Sequence, residues 1–401
     1  MNIRKKSVFK ASVIVAFLLS ISLADMSATA LEQTTHSQTT QANKPWTTLY
    51  YLDADYSGGY TDPLTQVFLD EISSTSNVNV VVIQDTLYDP AFIYYIDENH
   101  TKVVLEELGE VNMADQQVLQ NFIAYGKQQY PAERYLLWIY NHGGAWKGAC
   151  LDETDNAIGM TLDKFQKALS ETGGVDIICF LACLMSSIEA VYELRNDVDV
   201  VIGSEDLAYM TWFDDICGDT NQLLTDSPTL SNEAIASEIV QDFYENNNPP
   251  ADKLTISALR TDKIESLATA IDTLVRYYTK HWLRYYSSIK NAYNKTFLLS
   301  NIDEWATVFE VYDLRGFIEN LPQCTLTEAA LSAFDDVLIK EVHGIEMEET
   351  HGLSIFFQPR ISSYGLFRDY RDKSYGLDFA QDTYWNEFLF LFILTNILLR
   401  N

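Results

Sequence analysis

The 401-residue chain reads as an α/β protein built on a mainly parallel sheet. Short, continuously apolar runs alternate with longer amphipathic stretches, the pattern produced by strands buried on both faces and by the helices that cross between them. After residue 45 no Pro/Gly/Ser-rich linker and no internal repeat interrupts this alternation, so one continuous domain is favoured over two separable ones.

The elements follow in order. Arg4, Lys5 and Lys6 precede an apolar run from Ala11 to Ala24 and the small-residue triplet Ala28-Thr29-Ala30, which together read as a secretory signal peptide over residues 1–30, cut near Leu31. Residues 31–45, rich in Thr and Gln and without apolar periodicity, read as a flexible leader. A core over 46–260 carries strands expected at Thr47 to Leu52, Val78 to Gln84, Tyr135 to Tyr140, Val175 to Leu181, Val198 to Gly203 and Leu254 to Leu259. Phe92 to Ile96 and Lys102 to Leu108 flank the polar turn Asp97-Glu98-Asn99-His100 and predict a hairpin on the rim of the sheet. Helices are expected at 114–130, 161–171, 186–195, 231–246, 261–292 and 325–343. Residues 261–401 form a helical C-terminal extension packed on the core, in which Leu353 to Phe357 returns to the sheet as a last strand. The tail from Phe388 to Leu399 holds ten apolar residues in twelve, too few to span a bilayer, and reads as a packed terminal helix. Docking of this tail to a surface or partner is the alternative.

Composition narrows the function. An apolar fraction of 47% with 13% aromatics excludes a disordered chain. Loss of residues 1–30 removes four basic residues and one acidic one, which takes the net charge from −30 to −33 and opposes binding to nucleic-acid phosphates or anionic lipid. Five cysteines, an odd and sparse set, do not suit a disulfide scaffold, and a free thiol in an exported protein calls for a chemical explanation.

Two segments share one architecture. RYLLWIYNHGG and VDIICFLACLM are each an apolar strand running straight into a reactive residue, His142 in the first and Cys183 in the second. In open parallel sheets the functional crevice lies beyond the carboxyl ends of the strands, so these two residues can meet across neighbouring strands. A thiolate is the nucleophile and needs a neighbouring imidazole or a helix N-terminus to form near neutral pH. Ser186 followed by Glu189 predicts a capping box and places a positive helix end near the sulfur. Gly143 and Gly144 leave the backbone bare after His142, so that the N–H groups of Gly143 and Cys183 can form an oxyanion site. His351-Gly352 precedes its strand and is assigned to the opposite edge of the sheet, and Cys179 falls inside a strand.

These motifs, with WTTLYYLDADY, VVIGSED, LTISALR and HGLSIFFQPR in order along the chain, resemble the clostripain family of cysteine peptidases. The resemblance implies a caspase-like α/β/α sandwich and a secreted endopeptidase that cleaves protein or peptide substrates through a thioester. It assigns His142 as general base and Cys183 as nucleophile. No cofactor is required for that chemistry, and calcium dependence is a further implication of the resemblance.

One departure concerns the substrate pocket. The family pattern often reads Asp-Ala-Cys, with the Asp contributing to an acidic pocket for Arg or Lys, but here the residue is Leu181. Thr211 stands about where a second acidic residue is often found. A buried Arg side chain needs a paired carboxylate, so basic specificity is in doubt unless Asp206, Asp214 or Asp215 supplies one. The altered pocket also motivates an alternative function, an inactive peptidase-like protein that binds peptides or surface partners.

Other chemistries find little support. Asp53-Ala54-Asp55 and Asp152-Glu153-Thr154-Asp155 cluster carboxylates without the spacing of a defined calcium loop, so metal ligands stay unassigned. There is no His-Glu-x-x-His, no paired Cys-x-x-Cys, no Gly-x-Ser-x-Gly and no phosphate-binding Gly loop.

Overall fold

The computed structural model describes residues 43–55, 66, 69–155, 158–209, 212, 213, 215–247, 252–302, 309–358 and 364–399. The expected signal peptide, most of the leader, Thr211 and Asp214 lie outside them.

The first strand, β1 (Lys44–Ala54), is buried along nearly its whole length, as is β2 (Val78–Thr86), which pairs with it in parallel. The hairpin of β3 (Ala91–Ile96) and β4 (Lys102–Gly109) adds to β2 as expected. The exposed Glu106 and Glu107 put charge on that edge and oppose further pairing. Helix α1 (Gln116–Gln129) leads into β5 (Ala132–Tyr140). A small hairpin, β6 (Ala149–Asp152) and β7 (Ile158–Met160), precedes α2 (Leu162–Ser170), β8 (Val175–Leu181), α3 (Ile188–Leu194) and β9 (Val198–Gly203). Helices α4 (Ile216–Asp226) and α5 (Asn232–Asn246) then lead to β10 (Thr255–Arg260).

In the main sheet the strand order is β13-β10-β9-β8-β5-β1-β2-β3-β4, where β13 spans Leu338–His343. The five central strands, β9 to β2, are mutually parallel. Alternation along β8 divides the core: Ile178 and Phe180 face the layer of α1, α2 and α3, while Ile177, Cys179 and Leu181 face that of α4 and α5. This is an α/β/α sandwich with its carboxyl edge at Ala54, Thr86, Tyr140, Leu181 and Gly203.

The remainder comprises α6 (Ile264–Lys280), α7 (Trp282–Lys295), β11 (Leu298–Ile302), β12 (Phe309–Asp313), α8 (Leu314–Asn320), α9 (Thr325–Val337), β14 (Ser354–Phe356), α10 (Tyr364–Arg371), α11 (Asp378–Asp382) and α12 (Trp385–Leu398). α12 buries Trp385, Phe388, Leu389, Phe392 and Ile393, as a packed terminal helix does. No helix among the described residues is long and apolar enough to cross a membrane.

Five expectations are corrected. β10 runs antiparallel to β9, because two successive helices, α4 and α5, return the chain to the edge it left. The stretch 325–343 is not one helix: it ends at Val337, and Leu338–His343 pairs with the open side of β10, where Ile339 and Val342 pack on the sheet. Residues 261–292 break at His281 into two helices. Ser354–Phe356 does not return to the main sheet but joins β11 and β12 in a separate three-stranded one. Finally, Ser187 caps α3 by accepting the Ala190 N–H, while the Ser186 hydroxyl turns to Ser257 and the Gly352 carbonyl. The Ser186–Glu189 capping box is therefore absent.

Glu189 instead joins α3 to the C-terminal extension. Its fully buried Oε1 accepts the Phe356 N–H at 3.1 Å and the Tyr370 hydroxyl at 2.9 Å, while Oε2 has no partner. Burial pushes this carboxyl up to about 7. A folded-state value above the unfolded one means that the folded state holds the proton more tightly. The contribution is full below about pH 4.5 and is lost as pH rises through 7, a span worth roughly 3 kcal/mol. Glu189→Gln keeps the acceptor without the charge. Thermal unfolding is expected to find the variant more stable than the parent at pH 8 and close to it at pH 5; an equal loss at both pH values would contradict this.

Candidate active site

β5 and β8 are neighbours, and Tyr140 pairs with Leu181 in parallel register at their last residues. His142 and Cys183 thus each stand two residues past one rung of the sheet, on strands about 4.8 Å apart. The two loops touch: a Cβ added to Gly143 would sit 2.0 Å from the Cys183 carbonyl oxygen. Only glycine permits that approach.

The loop after His142 is tied at several points. Asn141 donates through Nδ2 to the Asp53 carbonyl at 2.9 Å, and its Oδ1 accepts from the N–H groups of His142 and Leu151. The Cys150 N–H reaches the His142 carbonyl and the Gly144 N–H reaches that of Gly148. Trp146, 1% exposed, meets the rings of Phe356, Tyr370 and Tyr375 edge-on and pins the turn. Ala145 (φ 52°), Cys150 (φ 58°) and Leu184 (φ 63°) all hold positive φ despite their side chains, costing about 1–3 kcal/mol each. Such strain persists only where the surroundings over-determine the backbone.

Every residue from 177 to 194 is buried except Cys183. Its Sγ accepts the Ala208 N–H at 3.3 Å, and the next residue, Leu184, donates its N–H to the Asp206 carbonyl. The Sγ also donates to the Ala208 carbonyl at 3.6 Å, so the N–H favours the thiolate while the carbonyl favours the thiol. Cys150, Cys179 and Cys217 are fully enclosed, and burial pushes their thiols up, away from reactivity. At the start of α3, Ser187 accepts the Ala190 N–H and Glu189 stands in the first turn.

The remaining candidates separate. Leu181 is 1% exposed and belongs to the apolar layer that includes Trp212 and Phe213. Asp206 lies on the loop around Cys183, 9% exposed, with its N–H donating to Ser204 Oγ. His351 does not lie at the opposite edge: the adjoining Gly352 carbonyl accepts from Ser186 and Ser257, near the carboxyl end of β8. What occupies His351 is Asp313, which accepts from its Nδ1 at 2.9 Å and its backbone N–H at 2.8 Å.

Sequence reasoning missed the Asn141 brace and the Ala208 N–H, and it missed Asp85. Asp85 pairs in register with Asp53 at the ends of β2 and β1, a relation visible in the parallel endings YYLDAD and VVIQDT. Carboxylate oxygens of Asp55, Asp85 and Asp152 lie within 4.8 Å of one another. All three residues are 0% exposed, as is Asp53. Burial, with repulsion from Glu110, Asp152 and Asp55, pushes Asp85 up to about 8, and burial with the neighbouring Asp55 pushes Asp152 up to about 6. Oxygen-only donors of this kind suit a hard divalent cation such as calcium.

The model of the clostripain family matches residues 61–392. Clostripain from Hathewaya histolytica is 24% identical over 417 aligned residues, covering 84% of this chain and 79% of that protein. An inactive zymogen C11 protease from Parabacteroides distasonis aligns with a TM-score of 0.69 at 21% identity, over 86% of this chain and 99% of its own. A secreted C11 cysteine protease from Bacteroides thetaiotaomicron, solved with an irreversible peptide inhibitor, gives 0.63 at 18% identity, over 83% and 99%. The two structures agree with the sandwich and its parallel centre, and the family match runs through both the His142 and the Cys183 strands: this chain belongs to the clostripain family of cysteine peptidases.

Proposed function

We propose that the protein is a secreted endopeptidase in which Cys183 and His142 act as a dyad. The observation that carries this reading is the register of β5 and β8, together with the Gly143–Cys183 approach. In the first step the Cys183 sulfur attacks the scissile carbonyl carbon while His142 takes the thiol proton. The proton then passes to the leaving amine, the C–N bond breaks and a thioester remains. Water, deprotonated by His142, attacks the thioester and releases the acid and the free thiol. Support for an oxyanion site comes from the loop hydrogen bonds, which employ the Gly144 N–H and the His142 carbonyl but not the Gly143 N–H. The charged, apolar and Ala-x-Ala segments of residues 1–30 support export.

Leu181 in place of an acidic residue supports a changed preference, toward an uncharged side chain on the amino side of the scissile bond. Profiling on a peptide library is expected to return no strict Arg or Lys requirement; strict basic selectivity would overturn this part of the reading.

Cys183→Ala is expected to lower peptide hydrolysis by roughly 10⁴-fold or more with the fold retained by circular dichroism. If hydrolysis survives, the dyad is wrong. Gly143→Ala keeps both reactive side chains but forces the two loops apart, and an ångström of displacement costs about 10²-fold. Kinetics on the folded variant check this, and full activity would show that the close approach is dispensable.

A further inference from the structure

A second buried carboxyl at the seam between core and extension lies on the segment that touches the Cys183 sulfur, and the dyad leaves it without a role. Glu205 follows β9 and is fully buried. Its Oε1 accepts the Gly352 N–H at 2.9 Å and the Thr255 hydroxyl at 3.3 Å, while Oε2 is buried without a hydrogen-bond partner. Gly352 precedes β14 in the extension, and its carbonyl accepts from the Ser186 and Ser257 hydroxyls. It holds φ 91°, and an added Cβ would stand 2.8 Å from that of Ser257, so a glycine is needed to bring this N–H in to Glu205. Glu205 also sits between two backbone hydrogen bonds. The Ser186 N–H donates to the Ser204 carbonyl and the Leu184 N–H to the Asp206 carbonyl, each at 2.9 Å, so residues 184–186 and 204–206 run against each other as a short antiparallel ladder. Its next contact is Cys183 itself, whose Sγ accepts the Ala208 N–H at 3.3 Å and donates to the Ala208 carbonyl at 3.6 Å.

We propose that Glu205 is a positioning residue: it locks the 204–208 segment to Gly352 and so keeps the Ala208 N–H on the Cys183 sulfur, favouring the thiolate. Of the two Ala208 groups the N–H is the closer, and a hydrogen bond to an ionised acceptor is about twice as strong as a neutral one, so the pair favours the thiolate on balance. Glu205 fills its place as a neutral acid. Burial, with repulsion from Asp313 of β12 and Glu341 of β13, pushes its carboxyl well above the usual carboxylate range. Those two carboxyls are themselves held by histidines, Asp313 by His351 and Glu341 by His343. What the position requires is therefore reach and an acceptor, not charge.

The bearing of Glu205 on hydrolysis rests on Cys183 being the nucleophile, whereas alkylation reports the sulfur in either case. The test is the pH profile of Cys183 alkylation by iodoacetamide on the full chain, followed by peptide mass spectrometry. Glu205→Ala is expected to move the midpoint up by about one pH unit and to slow alkylation near neutral pH about tenfold. Glu205→Asp, a carboxyl one methylene short of the Gly352 N–H, is expected to do the same. Glu205→Gln keeps the length and the acceptor and is expected to retain the parent profile. Ala208→Pro removes the N–H at the sulfur and is expected to give the upward shift even if the shortened Glu205 variants do not fold. Three results would each overturn the positioning role: an unchanged midpoint in Glu205→Ala and Glu205→Asp with the fold retained by circular dichroism, an unchanged midpoint in Ala208→Pro, or a Glu205→Gln profile displaced as far as that of Glu205→Ala.

Discussion

The parallel register between β5 and β8 is the constraint on which the site depends. A one-residue slip would turn Leu181 and Cys179 out of one apolar layer and into the other, exchanging them with Ile178 and Phe180. The same slip would separate His142 from Cys183 along the edge. Because both layers are dense and apolar, the register is held by burial over the whole strand, and the reactive residues inherit precision from side chains that have no chemical role.

Around that register the molecule concentrates features that a stability-optimised fold avoids. Three strained non-glycine residues, a glycine pressed against a carbonyl and a group of buried carboxylates all lie at the ends of β1, β2, β5 and β8 or in the segments that follow them. Each is tolerated because neighbouring elements over-determine it. Trp146 among aromatic rings of the C-terminal extension, Glu189 reaching Phe356 and Tyr370, and the Ser186–Ser257–Gly352 hydrogen bonds join core and extension at the same place. The extension thus supports the loops directly, in addition to covering apolar surface.

Much of this was legible in the amino-acid sequence because buried parallel strands are written as continuous apolar runs. Val175–Leu181 and Val198–Gly203 match their expected bounds, and the strand-end positions of His142 and Cys183 follow from the apolar runs Tyr135–Tyr140 and Val175–Leu181. Edge and antiparallel strands were harder. Leu338–His343 is half buried along its length and its pattern fits a helix end equally well, since only the open side of β10 makes it a strand. Helix α4 was invisible for a similar reason: ICGDTNQLLTD contains Gly, Asp, Asn and Thr, poor helix formers that tertiary packing of Ile216, Cys217 and Leu224 overrides. The carboxylate cluster was half legible, because Asp53, Asp55 and Asp152 stand out by proximity in sequence whereas Asp85 joins them only through strand pairing.

The central claim is that His142 governs the reactivity of Cys183. Its most direct measure is the rate at which iodoacetamide alkylates each cysteine of the native protein near neutral pH, followed by peptide mass spectrometry. The account predicts that Cys183 reacts ahead of the enclosed Cys150, Cys179 and Cys217, and that His142→Ala slows it by about tenfold or more, since the thiolate fraction sets the rate. A Cys183 rate unchanged by His142→Ala, or one no faster than those of the enclosed cysteines, would contradict it.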